Sequence, residues 1–474
     1  MCCTLGLILI LKVDVAAQVL DAYREEQLPT GLTIWWIDRP GCPVVSARWV
    51  FHAGSRFDPD TLAGLAVITA SALLDGPRGS TPSRFLEEFE GRGAILSGAV
   101  DGDAAVLRLD APAGPADTLL VALARAVVDP ALSGASLEGV LGEAQARSAE
   151  SPSAAAGLAD AGVMRQVNAG TPYAANGWGT AATRGRLTPA RLREFHAARY
   201  RPEDSRLIIV GPLAFDRLVR GVSAVIQAAR QGGTAGAASG APALSGAAPA
   251  PRRESTGAAP GSSEASPAAA PVLLLDAPGS DLAAIRVALS APARTDTAAA
   301  PDLALASILL GDSPLSLLLR RLRTEGGLAY DARGRFVQRD LVGCWIGETE
   351  VPVPRTRAAI DALLAAVDGV LEGGMSLEDF TAARVYWIGR RDLDLESPSR
   401  AADSLVPVAL AGASPADWRG LRDRLPWLDV VTWQSRMRAR LDRSRRVIVV
   451  AAPVDRVLPE LSGLGRVRVA RAPE

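Results

Sequence analysis

Histidine occurs only twice in this chain of 474 residues, at His52 and His196. A metal site that needs two imidazoles one helical turn apart cannot be built from them. Cysteine is nearly as scarce: Cys2, Cys3, Cys42 and Cys344 form no C-x-x-C pair and no metal-spaced set, which excludes a disulfide framework and a zinc knuckle. Lysine occurs once, at Lys12, and arginine supplies the other cations. With the abundant Ala, Gly and Pro, that skew reads as codon bias rather than chemistry. The formal net charge of −1 leaves no basic field to recruit nucleic acid or anionic lipid, so neither is expected as a partner. Long hydrophobic runs are missing too. The start, MCCTLGLILILKVDVAAQ, holds an apolar run of about eight residues where about 20 are needed to span a bilayer, so no membrane span is expected. No basic region precedes that run, and Lys12 and Asp14 follow it directly. Residues 1–20 therefore read as an N-terminal extension, a poor secretion signal or the result of a misplaced start codon. Cytoplasm and periplasm both stay open.

Common enzyme motifs are absent as well. There is no G-x-S-x-G nucleophile elbow, no G-x-x-x-x-G-K-[ST] and no strand-linked G-x-G-x-x-G, so an unrelated hydrolase or nucleotide enzyme finds little support. The composition, 48% hydrophobic and 22% charged, is that of a globular protein. Its length exceeds one ordinary domain and suggests two, of roughly 200 residues each.

Residues 230–271, RQGGTAGAASGAPALSGAAPAPRRESTGAAPGSSEASPAAAP, have almost nothing to bury and read as a flexible Ala/Gly/Pro/Ser linker. They separate a domain at 21–229 from one at 272–474. In the first, GLTIWWIDRP and PVVSARWVFHAGSR are β-branched and aromatic, and the Pro40-Gly41 turn between them predicts that they pair. Helical spacing follows at 60–74 and 82–92, then two alternating strands in AILSGAVDGDAAVLRLDAP, then a helix in ADTLLVALARAVVDP. The second half repeats that order: strand AAIRVALSAP, a long helix from APDLALASILL to LRTEG, strands LAYDARGRFV and LVGCWIGETEV, and helix PRTRAAIDALLAAVDGVLEGG. The expected fold is α+β, two homologous layered domains in which an antiparallel-rich sheet is packed by helices.

At this point the sequence resembles the insulinase and mitochondrial-processing-peptidase family, whose zinc motif is H-x-x-E-H. HAGSRFDPDTLAGLAVITASALLDGPRGS is similar to the segment where a strand ending A-G-S-R leads into G-L-A-H-x-x-E-H. The stretch TPYAANGWGTAATRGRLTPARLREFHAARYRPEDSRLIIVG resembles the family's P-Y-x-x-x-x-x-G-T and F-H-x-x-x-Y-x-P pattern, and LRTEGGLAYDA its L-R-x-x-x-x-L-x-Y segment. Laid on that pattern, the zinc histidines fall on Val67 and Ser71, the catalytic glutamate on Ala70 and the third ligand on Glu143. Val and Ala offer neither ligand nor base, a serine hydroxyl is a poor one at neutral pH, and Glu143 alone cannot hold zinc. The resemblance thus implies a degenerate zinc site, no metal or cofactor on this chain and no catalytic residue of its own. His52 and His196 are expected to pack or hydrogen-bond.

The resemblance also implies that Arg323 and Tyr330 reach toward substrate bound at a zinc, donating hydrogen bonds to a developing oxyanion. Gly326 and Gly327 fit the helix C-terminus between them, with Tyr330 on the following strand. From the residues alone, the reading is that Arg323 caps its helix C-terminus electrostatically and Tyr330 packs in a strand. Loss of the triad with retention of the pair resembles the non-catalytic subunit of two-component family members. That implies a homologous zinc-bearing partner in a heterodimer closing like a clamshell, an extended peptide held by β-augmentation, and a linker that serves as hinge. The family's glycine-rich stretch is reduced to LLGDSPLS, in which Gly311 alone remains. The competing expectation is a structural or assembly protein of the same fold, in which Arg323 and Tyr330 have no chemical role.

Overall fold

The computed structural model describes residues 23–149, 155–233 and 272–470. The N-terminal extension and nearly all of the linker, with Cys2, Cys3 and Lys12, lie outside the described residues. Two six-stranded sheets form the frame, in the order β1-β2-β6-β3-β5-β4 and β12-β7-β11-β8-β10-β9. The first comprises β1 Tyr23–Gln27, β2 Thr33–Ile37, β3 Val44–Phe51, β4 Ile95–Val100, β5 Ala105–Pro112 and β6 Ser205–Val210. The second comprises β7 Val272–Asp276, β8 Leu282–Ala291, β9 Ala332–Gln338, β10 Gly343–Pro352, β11 Asp442–Ala452 and β12 Val467–Ala470. Five strands correspond one to one, including the single parallel step, β2 on β6 and β7 on β11. Only the outer strand differs: β1 joins antiparallel, β12 parallel.

The expected hairpin of β2 and β3 does not form. β6 lies between them, parallel to β2 and antiparallel to β3. The reason is burial: Leu207, Ile208, Ile209 and Val210 are apolar on both faces of β6, which suits a central strand better than an edge. The long second-half helix is also not continuous. It breaks into Ala300–Leu309, a short turn Leu317–Leu319 and a π-helical stretch Arg320–Glu325.

One face of each sheet carries the helices of its own half. In the first, α1 (Leu65–Leu73), α2 (Pro82–Glu90), α3 (Ala116–Val128), α4 (Gly134–Ala149), α6 (Pro189–Arg199) and α7 (Phe215–Gly233) accompany the sheet. Period-two alternation sends Val45, Ala47 and Trp49 of β3 to that core. The opposite faces are covered by exchange. α5 (Ala155–Val167) of the first half lies on the outer face of the second sheet, against Leu273, Leu275 and Val449. A second-half helix, α8 (Pro398–Leu410), lies on the outer face of the first, against Trp35, Val50 and Ile208. A hinge between the halves, expected from the linker, is therefore not what this fold provides, because each half completes a core of the other.

Candidate functional site

Helix α1 carries Val67, Ala70 and Ser71, the three positions that align with the zinc motif. The Asp58 carboxylate fixes its start, accepting the backbone N–H of Gly64 at 2.9 Å and of Ala66 at 2.8 Å. Burial pushes that carboxyl up to about 7, against the opposing pull of the backbone donors. The Thr183 hydroxyl, in the segment after TPY, donates to the Ala63 carbonyl at 2.8 Å and pins the same turn from the other side. Val67 is 7% exposed and Ala70 2%, while Ser71 is half-buried. The helix backs onto β4: a β-carbon on Gly98 would lie 4.0 Å from the Ala70 carbonyl oxygen. β4 is an edge strand, bonded to β5 alone.

These side chains do not fit a zinc ion. Val67 and Ala70 are hydrocarbon in a buried wall, and among the described residues no three His, Cys, Asp or Glu side chains gather as a ligand set. Glu143 is exposed on α4, and its charge adds to the burial that raises the Asp75 carboxyl. Neither histidine comes near the helix with a hydrogen bond or ring contact. His196 shares a 2.7 Å hydrogen bond with the Val127 carbonyl and stacks on Tyr200, tying α6 to the end of α3. His52 is exposed just beyond β3.

Arg323 and Tyr330 meet in the second half. The guanidinium lies over the Tyr330 ring, 5.0 Å from its centroid. Arg323 leaves the π-helical stretch that ends at Glu325, while its neighbour Leu322 is fully buried and accepts the N–H of both Leu328 and Ala329. Gly327 takes φ +56, a left-handed value that ends the helix as expected, whereas Gly326 stays helical at φ −85. Arg355 clamps the turn by donating to the Gly327 carbonyl. Tyr330 is not on the strand: β9 begins at Ala332, and the Tyr330 side chain is 84% exposed. Among the described residues no carboxylate pairs with Arg323, and no hydrogen bond, ion pair or ring contact joins either residue to α1. Gly311 has a packing role, because a β-carbon there would fall 1.9 Å from the Gly334 nitrogen of β9.

Sequence reasoning missed a buried charge cluster where the halves abut. Asp103, fully buried in the β4–β5 turn, meets Arg56 at 3.0 Å and Arg294 at 3.4 Å. Asp340, in the β9–β10 turn, meets the same two arginines at 3.0 and 3.3 Å, and its backbone N–H donates to Asp103 at 3.0 Å. Tyr173 of TPY donates to Asp103 at 2.6 Å. The available signal was positional: Arg56 and Arg294 each follow the fourth strand in the order of its sheet, β3 and β8.

Two models of peptidase family M16 match this chain in order. Residues 34–175 match the model described as Insulinase (Peptidase family M16), and residues 186–385 the model described as Peptidase M16 inactive domain. A search of curated proteins finds no match. Among solved structures, the peptidase M16 inactive domain from Pseudomonas fluorescens is 20% identical with a TM-score of 0.77, covering 91% of this chain and 98% of that one. A protease from Helicobacter pylori is 15% identical, also at 0.77, with 91% and 99% covered. A chain of complex III2 from Candida albicans is 13% identical at 0.69, with 94% and 100% covered. No helix among the described residues is long and apolar enough to cross a membrane. Matched in order by both models and sharing the two-sheet fold of these structures, the chain belongs to the insulinase family, peptidase family M16, without an H-x-x-E-H segment in its sequence.

Proposed function

We propose that this chain is the non-catalytic, substrate-binding subunit of a two-component zinc peptidase acting on unfolded peptides. The carrying observation is Tyr330 standing 84% exposed with the Arg323 guanidinium against its ring. A capping arginine would turn back on its own helix carbonyls, and a packing tyrosine would bury its ring. This pair does neither, and an aromatic held in solvent beside a cation that pairs with no carboxylate among the described residues supports contact with a second molecule. The zinc belongs to a homologous partner carrying H-x-x-E-H. Arg323 and Tyr330 reach into that partner's site and donate to the carbonyl oxygen of the bound peptide as it becomes an oxyanion. The free edge of β4, beside Val67, Ala70 and Ser71, takes an extended peptide as an added strand, with backbone bonds that tolerate varied sequence.

The resemblance to a complex III chain supports the second reading, an assembly protein of the same fold without peptide binding. A pull-down of the tagged chain from its native lysate, with mass spectrometry, separates them. Recovery of a similar-sized H-x-x-E-H chain is expected, and Arg323→Ala should then lower turnover of the reconstituted pair about 100-fold, the loss typical of one oxyanion donor. Recovery of a large assembly without such a chain, together with no binding of a labelled unfolded peptide, would replace this reading by the second.

A further inference from the structure

The exchange of covering helices carries a consequence independent of any peptidase role. We infer that the two halves form an obligate, self-sufficient pair whose covalent connection is dispensable, each half being the specific binding partner of the other. Three features of the junction support this. The first is apolar. Trp35, Ile37 and Val210 of the first sheet are covered by Leu405 and Leu410 of α8, and Leu273 and Ala284 of the second sheet by Ala159 and Val163 of α5. α5 approaches so closely that a β-carbon on Gly162 would sit 2.7 Å from Leu275.

The second feature is a matched pair of buried arginines. Arg48 of β3 lies opposite Ile208 of β6, and Arg286 of β8 holds the equivalent place opposite Val449 of β11. Each points at the helix supplied by the other half. Arg48 Nε donates to Asp403 of α8 at 2.7 Å, and Arg286 Nε donates to Asp160 of α5 at 2.7 Å. A half on its own would uncover the Arg48 guanidinium, 1% exposed in the intact chain, and leave it Asp110 of its own sheet, at 3.1 Å, in place of the two-sided clamp that Asp403 completes. The third feature is the cluster of Arg56, Asp103, Arg294 and Asp340, in which both arginines bridge both halves. Apolar cover, paired charges and reciprocal contribution are the marks of an obligate interface rather than of two domains that touch.

The test uses the full chain with a site-specific protease sequence inserted after Ala250. After cutting, the fragments are expected to co-elute at the volume of the intact protein at about 1 μM, an affinity within reach of interfaces of this kind, and to melt in one transition. Unfolded and separated, neither should give a cooperative transition alone, and mixing should restore the single one. Asp403→Ala, which opens the Arg48 pair, should weaken rejoining at least tenfold while Leu86→Ala, on the exposed side of α2, leaves it unchanged. Separation of the wild-type fragments on the column, or a cooperative transition from either fragment alone, would overturn the inference. Failure of peptide binding or partner capture would leave it untouched.

Discussion

Tyr330 and Trp49 are both large aromatic residues, and their surroundings set opposite expectations. Trp49 is 1% exposed and hydrogen-bonded through its indole N–H to Ser205 at 2.9 Å, so Trp49→Ala should cost about 3–5 kcal/mol. Tyr330→Ala and Arg323→Ala should each change stability by no more than about 0.5 kcal/mol, as at other exposed sites. Urea unfolding measures all three. A loss of 2 kcal/mol at Tyr330 would make it a packing residue and remove its functional role. The residue types at Arg323, Tyr330, Val67, Ala70 and Ser71 were legible in the sequence; that Arg323 and Tyr330 converge in space was not. What could not be read was exposure, since a tyrosine two residues ahead of a strand looks in sequence like one inside it. Asp103 and Asp340 were illegible for another reason: they are 237 residues apart, and no local pattern links them.

At the scale of elements, the start of α1 is capped by Asp58 and pinned from the other side by Thr183. Asp58→Ala removes acceptors for two backbone N–H groups and should cost about 1–2 kcal/mol. The cap also titrates. Burial raises its carboxyl from 3.8 to about 7, so between those values the folded chain keeps a proton that the unfolded chain has released. Its contribution to stability therefore falls as pH rises from about 4 to about 7 and is level above that. Unfolding free energies at pH 5 and pH 8 should differ by less in Asp58→Ala than in the wild type; an equal difference would mean that another group carries the slope. Gly311→Ala should be destabilised by several kcal/mol, because the new methyl meets the β9 backbone at 1.9 Å. Strands and helices were mostly legible from period, but adjacency was not. The Pro40-Gly41 turn suggested a hairpin, and burial of β6 on both faces decided otherwise.

For the whole molecule, the duplication was legible as a repeated order of elements, while the exchange of α5 and α8 was not. Both helices have small buried faces rich in alanine, and nothing in such a face says which sheet it will meet. Acid should loosen that arrangement. Burial pushes the Asp403 carboxyl up, but Arg48 and Arg108 more than reverse this and hold it below the usual range. The stability it contributes is then complete above about pH 4 and lost as pH falls through its depressed value. Asp403→Asn should flatten the acid limb of the stability curve measured by denaturant titration. An unchanged limb would mean that the Arg48 pair adds nothing to holding the halves together.

The same exchange sets a timetable for biosynthesis. α8 is made almost 200 residues after the first sheet is complete at Val210, and at bacterial or slower elongation rates that interval lasts roughly 10–40 s. Throughout it the nascent chain displays Trp35, Ile37, Val50 and Ile208 with no helix over them, an apolar surface offered to chaperones and to neighbouring ribosomes. A codon change that slows translation between β7 and α8 would lengthen that exposure without altering one amino acid.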